Sequence, residues 1–278
     1  MITKNKKLII CADDFGIAKN INTAIYELAQ KKRISAISCI ISSEANRLEF
    51  AHLRSCKNQF LGLHFNLTHT AFNDALKKQP SPEQSILNLY GSVLKNNFSQ
   101  KKIEIEFEKQ WNLFCDLVQS EPDYLDSHHH VHQFPIISDA ILNVLGRTKL
   151  KPNFFIRNTA NSAQLDSLFI KKALLNFLGK RLQKKLRKIN IDTNKNFTGF
   201  YDYSNMKMNF NILSSFLHNA SDDTLMMVHP SLGDTPELND LMQLSRQSEY
   251  DLLMTSEFMD LIKQFGFEIK FKENDFQL

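Results

Sequence analysis

Lys7-Leu8-Ile9-Ile10-Cys11-Ala12-Asp13-Asp14-Phe15-Gly16 is the stretch on which the fold turns. Residues 8–12 are apolar without alternation, the pattern of a strand buried on both faces, and two carboxylates stand at its end. A helix is expected next, because Ile21, Ala24, Ile25, Leu28 and Ala29 recur at the spacing of one apolar face. The unit repeats outward along the chain. Further strands are expected at 34–41, 60–65, 124–126, 153–156, 225–228 and 267–271. One helix is expected around Ile103, Phe107, Trp111, Phe114 and Val118. Another has Pro135 near its first turn and ends at Gly146. This alternation of strand and helix predicts an α/β fold with a parallel sheet, open or closed into a barrel. Residues 70–100 and 160–205 read as loop insertions in a single domain spanning 1–278.

Composition narrows the class. The 278 residues are 42% apolar and 23% charged, ordinary for a globular chain and unlike a disordered or fibrous one. The apolar run after Met1-Ile2-Thr3-Lys4 is too short for a signal-peptide core, and no stretch approaches the roughly 20 residues of a membrane helix. Cys11, Cys39, Cys56 and Cys115 have no paired spacing, which argues against a disulfide framework or a thiolate zinc site. Reduced cysteines with no spanning segment suit the cytoplasm. A net charge of +4 discriminates little.

The ends of the expected strands carry the chemistry. Asp126-Ser127-His128-His129-His130-Val131-His132 holds four of the nine histidines, and Gly62-Leu63-His64-Phe65-Asn66 brings another to a strand end. Asp13 and Asp14, His64, His128, Arg157 and His229 all follow expected strands, where active sites gather in parallel α/β folds. One carboxylate with two histidines would serve a catalytic divalent metal, which takes about three protein ligands and keeps a position open. Asp13 and Asp14 need not both be ligands: one could bind metal while its neighbour takes a proton. Val131 separates His130 from His132, so these two share a direction. The plainer readings are a helix-capping Asp pair and packed or solvated histidines, the class to which His52, His69 and His218 are assigned.

Ala12-Asp13-Asp14-Phe15-Gly16, Gly62-Leu63-His64-Phe65-Asn66-Leu67-Thr68 and Leu125-Asp126-Ser127-His128-His129-His130-Val131-His132 together resemble the YdjC-like carbohydrate deacetylases. The resemblance continues through Phe155-Ile156-Arg157 to Val228-His229-Pro230. It implies an irregular TIM-type (β/α) barrel and a metal-dependent hydrolase that removes the N-acetyl group from an amino sugar, with phosphorylated or lipid-linked sugars among the substrates. Carried over by motif position, Asp14, His64 and His128 would hold one divalent ion, magnesium or zinc. Asp13 would be the general base, Arg157 would orient it or the substrate, and His229 would be the general acid. His130 and His132 would line the site or orient ligands, and a homodimer is implied. The pattern departs from the family at Asn20 and at Ser38-Cys39, where a glycine and a Thr-Ser-Thr-like strand are usual.

Between 171 and 188, eight residues are Lys or Arg and none is acidic, while Leu174, Leu175, Leu178, Leu182, Leu186 and Ile189 fall at helical spacing. The plain reading is a solvated face on a core-packed helix. The functional one is a surface for an anionic ligand. Nucleic acid is not expected, because Phe177 is the only aromatic residue among these cations. The rival functions are another metal-dependent hydrolase on the same scaffold, a phosphoesterase or amidohydrolase, and a non-catalytic binder that uses this helix.

Overall fold

A computed structural model describes residues 5–42, 45, 47–67, 99–162, 169–233, 235 and 242–273. His69 and most of the expected insertion at 70–100 lie outside the described residues. The chain alternates as expected: β1 (Lys6–Phe15), α1 (Lys19–Gln30), β2 (Ala36–Cys39), α2 (Arg47–His52), β3 (Phe60–Phe65), α3 (Gln100–Val118), β4 (Tyr124–Ser127), α4 (Pro135–Leu145) and β5 (Phe155–Ile156). There follow α5 (Phe169–Lys188), β6 (Asn196–Thr198), α6 (Phe210–His218), β7 (Thr224–Val228), α7 (Gln243–Met254), α8 (Ser256–Gln264) and β8 (Phe267–Ile269).

All strand pairs are parallel, in the order β5-β4-β3-β2-β1-β7-β6, with β8 paired to β1. The central position of β1 follows from its sequence: with apolar residues on both faces it is stable only where both faces are covered. Leu8, Ile10 and Ala12 face the larger core under the helices, whereas Ile9 and Cys11 face a smaller inner core with Tyr124, Phe155, Phe197 and Leu225. The expected helix faces are buried as read, including Ile21, Ala24, Ile25, Leu28 and Ala29 in α1. Pro135 occupies the first turn of α4. No described helix is long and apolar enough to cross a membrane.

The expected irregular TIM-type (β/α) barrel is met in part: among the described residues the parallel sheet curls into a half-barrel. Its end strands are only two and three residues long. Between them run isolated bridges, Phe155 to Asp192 and Ser162 to Phe197, instead of a ladder. The eighth strand does not extend the series either. Lys6, Lys7 and Leu8 of β1 pair with β8, and Cys11 and Ala12 pair with β2, while Leu8 to Ala12 also pair with β7. The stretch 160–205, expected as an insertion, carries helix α5 and the sheet strand β6. A three-residue strand is too short to show a period, which is why β6 escaped the sequence.

Helix α5 docks through Leu175, Leu178, Leu182 and Leu186, all buried. Gly179 sits at the closest approach: a Cβ there would lie 2.6 Å from Ala160 N, 2.8 Å from Asn158 Oδ1 and 2.9 Å from Gln133 Oε1. Asn158 cannot retreat, since its Nδ2 donates to Gly179 O (2.9 Å) and its Oδ1 accepts from Ala160 N (2.7 Å). Gly179→Ala gains about 1 kcal/mol of helix propensity but costs about 1–3 kcal/mol in overpacking and a distorted polar contact. A net loss of about 1 kcal/mol is expected in urea unfolding. A gain would show that the approach is not tight.

Candidate active site

The site is assembled at the carboxyl ends of the strands by a two-residue period. On β1 the inner-face positions are Ile9, Cys11 and Asp13; on the neighbouring strands the same period brings Ser38, His64, Asp126, Arg157 and His229 inward. Asp14 would then face outward. It does not, because β1 bulges: Ala12 pairs with Ile37 and Phe15 with Cys39, so Asp13 and Asp14 together oppose Ser38. Asp14 takes φ 73°, a left-handed conformation that Asp tolerates better than most residues. Both carboxylates thereby serve one centre.

Asp14 Oδ1 lies 3.1 Å from His128 Nδ1 and 3.7 Å from His64 Nε2. The donor atoms of Asp14, His64 and His128 all fall within 4.8 Å of one another. Ligands about 2.0–2.2 Å from a shared divalent ion stand roughly 3–3.5 Å apart, so this set fits such an ion with modest closing. His64 is oriented for that use. Its Nδ1 lies 2.6 Å from Asp126 Oδ1, which also accepts from Ser38 Oγ at 2.5 Å. With Nδ1 protonated toward Asp126, the Nε2 lone pair faces Asp14. Burial disfavours protonation of His64, but Asp126, Asp13 and Asp14 outweigh it and raise its pKa. Burial likewise works against an ionised Asp14, yet Arg246, then His128, hold its carboxyl well below the usual range. Ionised oxygen beside imidazole nitrogen is the donor chemistry a hard or borderline divalent cation takes.

Arg157 is wholly buried and divides its charge between two carboxylates. Its Nη1 and Nη2 each donate to Asp13 at 2.6 Å in a forked pair, and Nη2 also stands 2.5 Å from Asp126 Oδ2. Burial acts against Asp126 ionising, but Arg157 and His64 bring its pKa down to about 2. His132 braces this arginine from behind, its Nε2 donating to Arg157 O (2.8 Å) and its Nδ1 accepting from Ser127 Oγ (2.7 Å). Burial lowers His132 to about 4, so it is a neutral strut. His130 is buried edge-on against Phe197 and Phe200. The structure therefore brings Asp13, Asp14, His64, His128, Arg157 and His229 together, and places His130 and His132 beside them in packing and bracing positions. His129 and His130 both have positive φ, the sharp turn that separates the cluster's directions.

His229 follows β7 with Nε2 3.9 Å from Asp13 Oδ2 and the Tyr203 ring edge-on at 5.0 Å. Its Nδ1 is buried without a hydrogen-bond partner among the described residues. Burial lowers its pKa to about 4, leaving it neutral at rest. Four further residues of the site were missed from sequence: Asp126, Arg246, Glu249 and Tyr203. Arg246 donates to Asp14 Oδ2 at 2.7 Å, so that Oδ1 is the oxygen turned to the histidines. Glu249 accepts from the His229 backbone N–H and from Tyr201 OH, and burial pushes it up to about 7. Arg246 and Glu249 lie three apart on α7, which carries no strand-end signature. Asp126 had a readable signal: it shares the inward period of Tyr124 and is in register with His64.

Residues 7–264 match the family model described as YdjC-like protein. The chitooligosaccharide deacetylase of Proteus mirabilis (strain HI4320) is 23% identical over 266 residues, covering 94% of this chain and 96% of that one. That of Enterobacter sp. (strain 638) is 29% identical over 148 residues, covering 51% of this chain and 57% of the relative. That of Citrobacter koseri is 31% identical over 133 residues, covering 47% and 52%. The chain thus spans little more than half the length of these last two relatives. Among solved structures, an Enterococcus faecalis V583 protein whose name proposes cellobiose-phosphate cleavage superposes with a TM-score of 0.63 at 21% identity, over 96% of this chain and 97% of that one. A peptidoglycan N-acetylglucosamine deacetylase solved with a benzamide ligand gives 0.50 at 10% identity, over 95% and 84%. At such identities these two structures speak to the fold alone. With residues 7–264 of its 278 matched by the family model, the chain belongs to the YdjC-like protein family.

Proposed function

We propose that this chain is a metal-dependent carbohydrate N-deacetylase, acting on an N-acetylglucosamine-containing oligosaccharide or conjugate and releasing acetate. One arrangement carries the reading: Asp14, His64 and His128 converge beside an Asp13 that is clamped by Arg157 and faces His229 at 3.9 Å. The name chitooligosaccharide deacetylase borne by relatives supports the substrate class. Asp14, His64 and His128 would hold magnesium or zinc, and a cation there would polarise the acetyl carbonyl and acidify a water.

The rest of the work falls to side chains of this chain. Asp13, held in place by the forked Arg157 contact, takes a proton from the water that adds to the carbonyl carbon. Arg157 keeps both Asp13 oxygens in fixed directions, and His132 fixes the Arg157 backbone. The C–N bond then breaks, and the leaving amine needs a proton. A resting, neutral His229 can give one only after receiving one, and Asp13 Oδ2 is placed to supply it. The products are acetate and a free amino sugar.

The test uses the full chain, stripped by chelator and reloaded with magnesium or zinc, against N-acetylglucosamine oligomers and their phosphorylated and lipid-linked forms. Acetate release that appears on reloading is expected. Turnover of a phosphoester or another amide, with no acetate from any acetylated sugar, would move the site to a different hydrolase and end the deacetylase reading.

A further inference from the structure

Helix α5 concentrates the positive charge of the molecule. It holds eight Lys or Arg and no acid, so with +4 overall the remainder of the chain is net negative. Its buried face is the leucine row already described. On the opposite side Leu174 (42% exposed), Phe177 (65% exposed), Arg181, Lys184 and Lys188 succeed one another at three- and four-residue steps, a single straight stripe on a helix. Lys180 and Arg187 flank it, and Ile189 (49% exposed) ends it. Lys185 reaches Asp139 and Ser138. Lys180, Arg181, Lys184, Arg187 and Lys188 pair with no carboxylate among the described residues.

This face is cationic over its last three turns and apolar at its start, and the apolar start lies on the catalytic side. Thr159 Oγ1 donates to Leu175 O and Asn161 N to Asn176 Oδ1, which ties the first half of α5 to the segment leaving the carboxyl end of β5 just after Arg157. We propose that the exposed stripe of α5 docks the protein on an anionic phospholipid surface, with Leu174 and Phe177 entering the headgroup layer and the five unpaired cations over it. Charge complementarity commits the occupant. Exposed Leu and Phe gain by leaving water at a bilayer boundary, whereas the phosphates of a nucleic acid would leave them hydrated. A single-strand binder also needs a row of aromatic platforms, and this stripe has one. The inference does not depend on the reaction proposed for the site.

The experiment is co-sedimentation of the full chain with vesicles of phosphatidylcholine alone and of phosphatidylcholine mixed with phosphatidylglycerol. Binding to the mixed vesicles about tenfold or more tighter than to the neutral ones is expected, weakening as salt is raised. The triple variant Lys180→Glu, Arg181→Glu, Lys184→Glu should abolish it without change in circular dichroism. Phe177→Ser should weaken vesicle binding while leaving retention on a heparin column unchanged. Equal binding to both vesicle types, or none, overturns the proposal. So does tighter binding to a short single-stranded RNA than to the anionic vesicles.

Discussion

Asp13→Asn is expected to lower acetate release by about 10²–10⁴-fold while the protein still binds its metal. The substitution keeps the shape of the side chain and removes its charge and proton affinity. Asp14, His64 and His128 are untouched, so metal content measured by elemental analysis should match the unsubstituted protein. Stability will fall as well. Arg157 is completely buried and would keep only Asp126 as a charged partner. Removing one member of a buried ion pair costs about 3–5 kcal/mol. The comparison therefore belongs at a temperature where circular dichroism shows both proteins folded. Retention of more than about a tenth of the activity would exclude Asp13 as the base. Loss of metal with the activity would place it among the ligands instead.

The second large effect is expected at Asp126, which touches no substrate in this reading and works through two neighbours. Asp126→Asn should weaken metal binding by about 10–100-fold, seen by calorimetric titration, and should lower the thermal midpoint. The carboxylate accepts from His64 Nδ1 and Ser38 through Oδ1 and forms an ion pair with Arg157 through Oδ2. An amide cannot do the same. If its oxygen serves His64, its N–H₂ meets the donors of Arg157; if it serves Arg157, the N–H₂ meets the His64 N–H, which then loses its orientation. His64→Ala supplies the reference for full loss of a ligand. Unchanged metal affinity in Asp126→Asn would mean that His64 needs no bracing. The pH dependence has a definite sign. With its folded pKa near 2, against an ordinary 3.8, Asp126 contributes stability that is fully present above about pH 4 and drains away as pH falls toward 2. Asp126→Asn should flatten the acid limb of a stability profile.

Much of this arrangement is written in short patterns. The apolar run before Asp13 marks β1 as a central strand, since no solvent-facing position interrupts it. The period of two then predicts which residues at each strand end turn inward, and His64, Arg157 and His229 obey it. Asp126 obeys it too. Its register with His64 makes it the natural acceptor for Nδ1. Arg246 and Glu249 lie beyond such reasoning, because nothing local tells a buried Arg on α7 from the solvated ones on α5. Leu252 and Leu253 mark α7 as packed, yet only the docked helix shows that Arg246 ends against Asp14. The sheet's closure is similarly invisible. Whether short end strands meet depends on the path of 157–195, which no window of sequence reports.

By itself the sequence determined the alternation of strand and helix, the central place of β1, and the set of strand ends from which chemistry could come. Those follow from burial and side-chain period, which are local. The tertiary structure decided how two adjacent aspartates came to share one centre. A regular strand would have sent Asp13 and Asp14 to opposite faces. The extra residue opposite Ser38 and the left-handed turn at Asp14 bring both inward, and Arg157 and Arg246, arriving from opposite sides of the sheet order, claim one carboxylate each. A bulge depends on which residue of a neighbouring strand it opposes, so it exists only once the strands have paired.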